Sequence, residues 1–399
     1  MRKRSFSLSH PLWLITGILL IAASLRAPIT GIAPLLGMIR ADFALGTVEI
    51  GALTTLPLLA FAFASPFCVL LAREYGLERS LFLALIVIGG GVLFRSMGAV
   101  WMLFIGSAII GIGIAIANVL LPALLKRDFP DHIASLTGAY ALVAGLVAAL
   151  TSALAVPIAK LPSSGWNWSL AAFIVLPVVA IIVWIPQLLN RSRPPAETAT
   201  PPHSGPIWHS PLAWQVTLFF GLNSLIYYSV VTWLPAMLTE SGYSAEAAGA
   251  LHGVSQLATA VPGLVIAPLI QRFKDQRGIA CATSLIVAIS LLGLLVAPRW
   301  ALIWAALFGF GTGATFILAL SFVSLRAATV RQAGALSGMA QSVGYTMAAA
   351  APPLLGLVHD MSSSWTVPLC LCVALCCAMA GFGAYAGRAA HIDNFNSII

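Results

Sequence analysis

Charge is scarce in this sequence: Lys, Arg, Asp and Glu make up 8% of its 399 residues, against about 25% in soluble domains. That excludes an ordinary globular protein. A mean hydropathy of +0.99 with 60% hydrophobic residues excludes a disordered one. Acidic residues number only twelve, and each falls at the end of an apolar run, in a connection or in the tail. Cysteine is sparse as well, and all six lie inside apolar runs. Four of them (Cys370, Cys372, Cys376, Cys377) have a spacing that matches no metal site, so they read as small core hydrophobes and no metal or cofactor is expected. There is no G-x4-G-K-[ST] segment to hold a nucleotide and no H-E-x-x-H pair, and His252 is the single histidine deep in an apolar run. An intramembrane enzyme needs a nucleophile–base pair or a metal site, so no catalysis is expected. A passive channel is disfavoured because no ring of charges is present.

What the chain has in excess is long apolar runs. A membrane span takes about 20 residues at ~1.5 Å each. Punctuation by charge, Pro and Gly gives twelve, over 12–38, 47–72, 80–98, 101–125, 135–159, 168–188, 213–238, 246–271, 279–297, 301–325, 333–358 and 366–387. The expected fold class is an all-α polytopic membrane protein with twelve transmembrane helices in two pseudo-symmetric six-helix halves. The first run is interrupted by Arg26 and followed by no small-residue cleavage site, so it reads as helix 1 rather than a signal peptide. With the N-terminus inside, fifteen Lys and Arg residues fall inside and three (Arg40, Lys160, Arg299) outside. This excess places both termini in the cytoplasm. The net charge of +8 is spread singly between spans, which excludes a nucleic-acid footprint. Residues 189–212, with six prolines, read as a cytoplasmic linker between an N-terminal half (1–188) and a C-terminal half (213–399).

An internal repeat supports that division. Gly51-Ala52-Leu53 and Leu59-Ala60 recur 198 residues later as Gly249-Ala250-Leu251 and Leu257-Ala258. Gly111-Ile112-Gly113 recurs at the same offset as Gly309-Phe310-Gly311, and Leu136-Thr137-Gly138 recurs as Leu336-Ser337-Gly338. Six is an even number of helices, so the halves are parallel, which is a transporter architecture.

Several segments carry a more specific likeness. They include Leu25-Arg26 through Gly31-Ile32-Ala33-Pro34-Leu35-Leu36, Thr54-Thr55-Leu56-Pro57-Leu58-Leu59, and Asn118-Val119-Leu120-Leu121-Pro122 followed by Lys126-Arg127-Asp128-Phe129-Pro130. In the second half it continues through Asn223-Ser224-Leu225, Tyr227-Tyr228, Leu251-His252-Gly253 and Ser337-Gly338-Met339-Ala340-Gln341-Ser342-Val343-Gly344-Tyr345. On these the chain resembles the major facilitator superfamily, within it the cyanate-permease and nitroimidazole-exporter branch, and the exporters most closely. The resemblance implies secondary transport of a small polar solute by alternating access. One departure stands out: the superfamily's Asp-Arg-x-Gly after helix 2 reads Arg73-Glu74-Tyr75-Gly76 here.

The residues expected to contact solute follow from depth and spacing. Arg26 lies about 14 residues into helix 1, roughly 21 Å by helical rise and near the midplane. An Arg there costs ~2.5–3.5 kcal/mol on insertion scales, so it is expected to face a cavity and bind clustered acceptors. Aligning Pro34 with Pro235 makes Tyr227 its counterpart, with Asn223 one turn before. His252, Ser255, Gln256 and Thr259 form one stripe on helix 8, and Ser337, Gln341 and Tyr345 another on helix 11. Such stripes serve helix packing or a solute cavity, and both readings stand for Tyr227, Gln256, Gln341 and Tyr345, with Asn118 joining the set. Arg95, at the outer end of helix 3, is expected to snorkel. Thr54, Thr55, Thr312 and Thr315 are expected to bond back to their own helices. Thr47 and Ser244 are expected to cap helices.

His252 is the one intramembrane group whose ordinary pKa lies near neutrality, so any proton coupling is expected to run through it. An arginine with tyrosines suits a nitro-heteroaromatic solute, and the resemblance to the exporters implies that it moves outward. Uptake of cyanate or another small organic anion is the alternative. The expected partners are the solute and the lipid bilayer, with no nucleic acid, no obligatory protein partner and a monomeric chain.

Overall fold

The computed structural model describes residues 11–129, 132–189, 207–263, 269, 272–273, 275–328 and 330–392. Among these residues all regular structure is helical. The chain opens with α1 (Pro11–Thr30), and Pro34, four residues on, has no N–H to give the Thr30 carbonyl. A 3-10 turn over Ala33–Leu35 leads into α2 (Leu36–Phe43). Then come α3 (Thr47–Tyr75), α4 (Leu77–Arg95), α5 (Val100–Asp128) and α6 (Ile133–Ala159). Gly76, the one residue between α3 and α4, takes a φ of 89°, which a side chain would resist. The expected sixth span is divided into α7 (Trp166–Ala172), α8 (Val175–Trp184) and a 3-10 turn over Ile185–Leu189. Most of the expected linker, 190–206, lies outside the described residues.

The second half runs through α9 (Pro211–Glu240), α10 (Ala245–Ala258), α11 (Arg277–Val296), α12 (Ala301–Arg326), α13 (Val330–Ser362) and α14 (Thr366–Ala386). Ten stretches of the described residues are long and apolar enough to cross a membrane. The expected eighth and eleventh spans correspond to α10, whose expected continuation crosses undescribed residues, and to α13, made less apolar by its polar stripe.

Contacts divide the chain into two compact units, one of residues up to Leu35 together with those from Leu56 through α8, the other of Leu36–Thr55 together with α9 onward. In the first, α4 packs along α5, and α1 against α6 and α8. In the second, α9 packs against α13 and α14, α11 against α12 and α14, and α10 against α12. Leu36–Thr55 joins the second because small residues let it close on α9 and α13. A Cβ on Gly51 would come within 2.5 Å of the Pro353 nitrogen. Thr54 bonds Thr232 at 3.2 Å, and Thr47 bonds Asp360.

The repeat read from the sequence reappears as repeated packing inside each unit. Gly111 presses on the Pro57 carbonyl, and Gly309, 198 residues on, presses on the Ser255 carbonyl, itself 198 residues after Pro57. Arg127, at the end of α5, forms an ion pair at 2.9 Å with Glu78, which is 2% exposed. At the matching place in the other unit Arg326, at the end of α12, donates to Gln276 and to the Ala386 and Gly387 carbonyls. Burial alone would lower the Arg127 pKa, but the Asp128 hydrogen bonds and the Glu78 and Asp128 charges outweigh it and raise it.

Candidate functional site

In the first unit the candidates gather on α1, α5 and α6. Arg26 is exposed between Leu25 and Ala27, which are both buried. It lies near the middle of the apolar stretch Leu12–Phe43. Its charge bears on Tyr140 of α6, whose hydroxyl donates to Asn118 Oδ1 at 3.1 Å. A cation at this depth facing hydrocarbon would be costly, and the Tyr140 phenol, bonded to Asn118, is a polar group that its charge reaches. Arg26 and Asn118 are candidates from the sequence, and Tyr140, which the sequence reading did not single out, joins them through these interactions. Its signal was an isolated tyrosine in a run of Ala, Leu, Val and Gly.

In the second unit α9 and α10 present a connected set. The Tyr227 hydroxyl donates to Gln256 Oε1 at 2.8 Å, and Gln256 Nε2 lies 3.4 Å from His252 Nε2. The His252 ring also bonds the Val231 backbone. His252 is fully buried. Tyr228 stands edge-on to Tyr227 with ring centroids 5.1 Å apart. Asn223 is buried one turn earlier, and its Oδ1 has no hydrogen-bond partner among the described residues.

On α13, Gln341 donates to Ser337 at 2.8 Å, and Tyr345 packs edge-on against Phe220 of α9 at 5.6 Å. These two are half-buried. A cleft of about 500 Å³ at the start of α9 and α11 and the end of α14 shares no residue with any candidate.

Two expectations are corrected. Arg95 does not snorkel: it is 1% exposed and donates from Nη1 to the Pro28 carbonyl of α1 at 2.7 Å. Thr47 does not cap α3: it is the first residue of the helix, and its hydroxyl donates to Asp360. Glu49 instead reaches back to the Gly46 N–H at 2.7 Å. Ser244 caps α10 through the Ala247 N–H, and Thr54, Thr55, Thr312 and Thr315 bond back to their own helices.

Comparison with known proteins agrees with this architecture. The model of the Major Facilitator Superfamily matches residues 12–352. The 2-nitroimidazole transporter of Escherichia coli (strain K12) is 51% identical over 384 residues, covering 96% of this chain and 98% of that protein. The cyanate transport protein of the same organism is more distant, 27% identical over 87% of this chain and 90% of its own. Among solved structures, a bacterial homolog of the human lysosomal transporter Spinster superposes with a TM-score of 0.74 at 16% identity, covering 96% of this chain and 98% of that one. With an all-helical fold, repeated packing in its two halves and matches along nearly its whole length, this chain belongs to the Major Facilitator Superfamily.

Proposed function

We propose that this protein is a secondary transporter that moves a small nitro-heteroaromatic solute of the 2-nitroimidazole type by alternating access, in the outward direction. The observation that carries the reading is Arg26, an exposed arginine between buried apolar neighbours, whose charge bears on Tyr140, itself hydrogen-bonded to Asn118. A nitro group presents two coplanar oxygens, which suit the fork of guanidinium donors. The heteroaromatic ring suits the tyrosine faces. The relative at 51% identity, whose name specifies 2-nitroimidazole, supports the same solute class.

In this reading Arg26, Asn118 and Tyr140 in one half, and Asn223, Tyr227, Gln256, Gln341 and Tyr345 in the other, are the solute contacts. The halves are 1–188 and 213–399, joined by 189–212. His252 carries any proton coupling, through Gln256 to Tyr227. The chain works as a monomer in a bacterial inner membrane with both termini in the cytoplasm, and it performs no catalysis.

Purified protein in liposomes tests this directly. Vesicles preloaded with unlabelled 2-nitroimidazole should accumulate the labelled compound by exchange, which a pore does not do. Exchange driven by cyanate but not by 2-nitroimidazole would replace this reading with the anion permease. That rival is favoured by the charge of Arg26 and by the likeness to the cyanate transport protein.

A further inference from the structure

Arg95 is a buried arginine that the transport reading leaves without a task. It is the last residue of α4 and is 1% exposed. Its Nη1 donates to the Pro28 carbonyl at 2.7 Å, while Nε and Nη2 have no hydrogen-bond partner among the described residues. An arginine near a membrane surface ordinarily runs its charge out to water, and burying it is unfavourable. Something at this position must repay that burial.

The Pro28 carbonyl belongs to the last turn of α1, where the end of a helix leaves carbonyls without intrahelical partners. It lies two residues beyond Arg26. The same turn is held from another side: Thr30 donates to the Arg26 carbonyl at 3.0 Å and bonds Thr151 of α6 at 3.0 Å. The turn that carries Arg26 is therefore tied to α4 by Arg95 and to α6 by Thr151.

The repeat supplies an internal control. At the 198-residue offset Arg95 corresponds to Gly293 and Gly106 to Trp304. In the first unit Gly106 brings α5 against the backbone of Arg95, where an added Cβ would sit 2.5 Å from the Arg95 nitrogen. In the second unit the large and small residues are exchanged: the Trp304 indole covers Gly293 and donates to the Ala297 carbonyl at 3.0 Å. The repeated fold is thus completed without an arginine. The two halves also differ in their first helix, since α1 stops at Thr30 whereas its counterpart α9 runs unbroken from Pro211 to Glu240. The arginine occurs in the half whose first helix breaks.

We propose that Arg95 is a positioning residue for solute recognition: it caps the broken end of α1 and holds the turn on which Arg26 stands. This rests on the reading of Arg26 as a solute contact. Without the cap the turn samples several conformations, and apparent affinity falls with the fraction that remains competent.

The test uses the purified full chain with 2-nitroimidazole as the probe, reading binding by calorimetry and backbone exchange by deuterium uptake. Arg95→Met keeps length and apolar volume but removes every donor. It should weaken binding about tenfold, as expected if one tenth of the molecules stay competent, and speed exchange over 26–36 without speeding the matching part of α9. Arg95→Lys returns a donor to the Pro28 carbonyl and should recover most of the affinity. Wild-type binding by Arg95→Met, or weakened binding with unchanged exchange over 26–36, overturns the proposal. If Arg95→Met does not fold, Arg95→Lys decides: a two- to threefold loss with slightly faster local exchange supports the cap, and faster exchange with wild-type affinity overturns it. Arg26→Ala, run alongside, separates the two claims. Loss of binding there but not in Arg95→Met sinks only the positioning role, whereas wild-type binding by Arg26→Ala sinks the solute reading and the positioning role with it.

Discussion

The two units solve one structural problem with different chemistry, and exchanging the solutions gives a quantitative prediction. Arg127 meets a carboxylate at Glu78, while Arg326 meets an amide at Gln276. At 2.9 Å the gross attraction in the first pair is ~6 kcal/mol for an effective dielectric of about 20. Desolvation of Glu78, only 2% exposed, consumes much of that. Breaking a fully buried pair typically costs ~3–5 kcal/mol. Arg127 stays one-quarter exposed and keeps Asp128 at 2.6 Å, so the loss here should be smaller. Glu78→Gln should cost ~2 kcal/mol and Glu78→Ala ~3 kcal/mol, the difference being lost packing. The reciprocal change, Gln276→Glu, puts a carboxylate beside an arginine that two backbone carbonyls already satisfy. It should be neutral or stabilise by up to ~1 kcal/mol. Thermal unfolding in detergent, read by the protein's tryptophan fluorescence, to which Trp184 contributes with its indole donating to the Glu78 carbonyl at 2.9 Å, reports all three. A Glu78→Gln protein as stable as wild type, with Gln276→Glu strongly destabilised, would refute the view that the carboxylate matters only in the first unit.

Three further outcomes are expected. Gly309→Ala drives a methyl group into the Ser255 carbonyl of α10, where backbone rather than a flexible side chain must yield, and should abolish folded protein by size-exclusion chromatography; a monodisperse variant of wild-type melting temperature would contradict the close crossing. Asn223→Leu removes a buried acceptor without a partner among the described residues, so it should raise thermal stability by ~1 kcal/mol while weakening 2-nitroimidazole binding; a destabilised variant with full affinity would assign Asn223 to packing. Reporter fusions at Arg193 and at the C-terminal tail should read cytoplasm and one at Ser241 the outer face, whereas a cytoplasmic signal at Ser241 would break the assigned orientation.

Much of the architecture was legible because a bilayer imposes long apolar runs, and a tandem repeat leaves its small residues at one offset. Gly111 and Gly309 could be paired from sequence because only glycine admits a neighbouring carbonyl so closely. What escaped depends on which face a residue presents once helices pack. Arg95 read as a snorkelling cation because its position near a helix end said nothing of the α1 carbonyl beneath it. The break after Thr30 was not anticipated, because a proline alone does not decide it: Pro235, the counterpart of Pro34, lies inside the unbroken α9. Thr47 followed a capping pattern locally, yet Asp360, more than three hundred residues away, claimed its hydroxyl. Tyr140 was overlooked because one tyrosine carries no periodicity. The link from Tyr227 through Gln256 to His252 crosses two helices, so a helical stripe revealed its second half and the repeat only hinted at its first.

Binding of 2-nitroimidazole to Arg26→Ala and Arg26→Lys, measured by titration calorimetry on protein shown to be folded by its melting temperature, tests the central claim most directly. The account predicts measurable binding by wild type, none by Arg26→Ala, and at least a tenfold deficit in Arg26→Lys, because an ammonium cannot reproduce two parallel donors. Wild-type affinity in folded Arg26→Ala would contradict it.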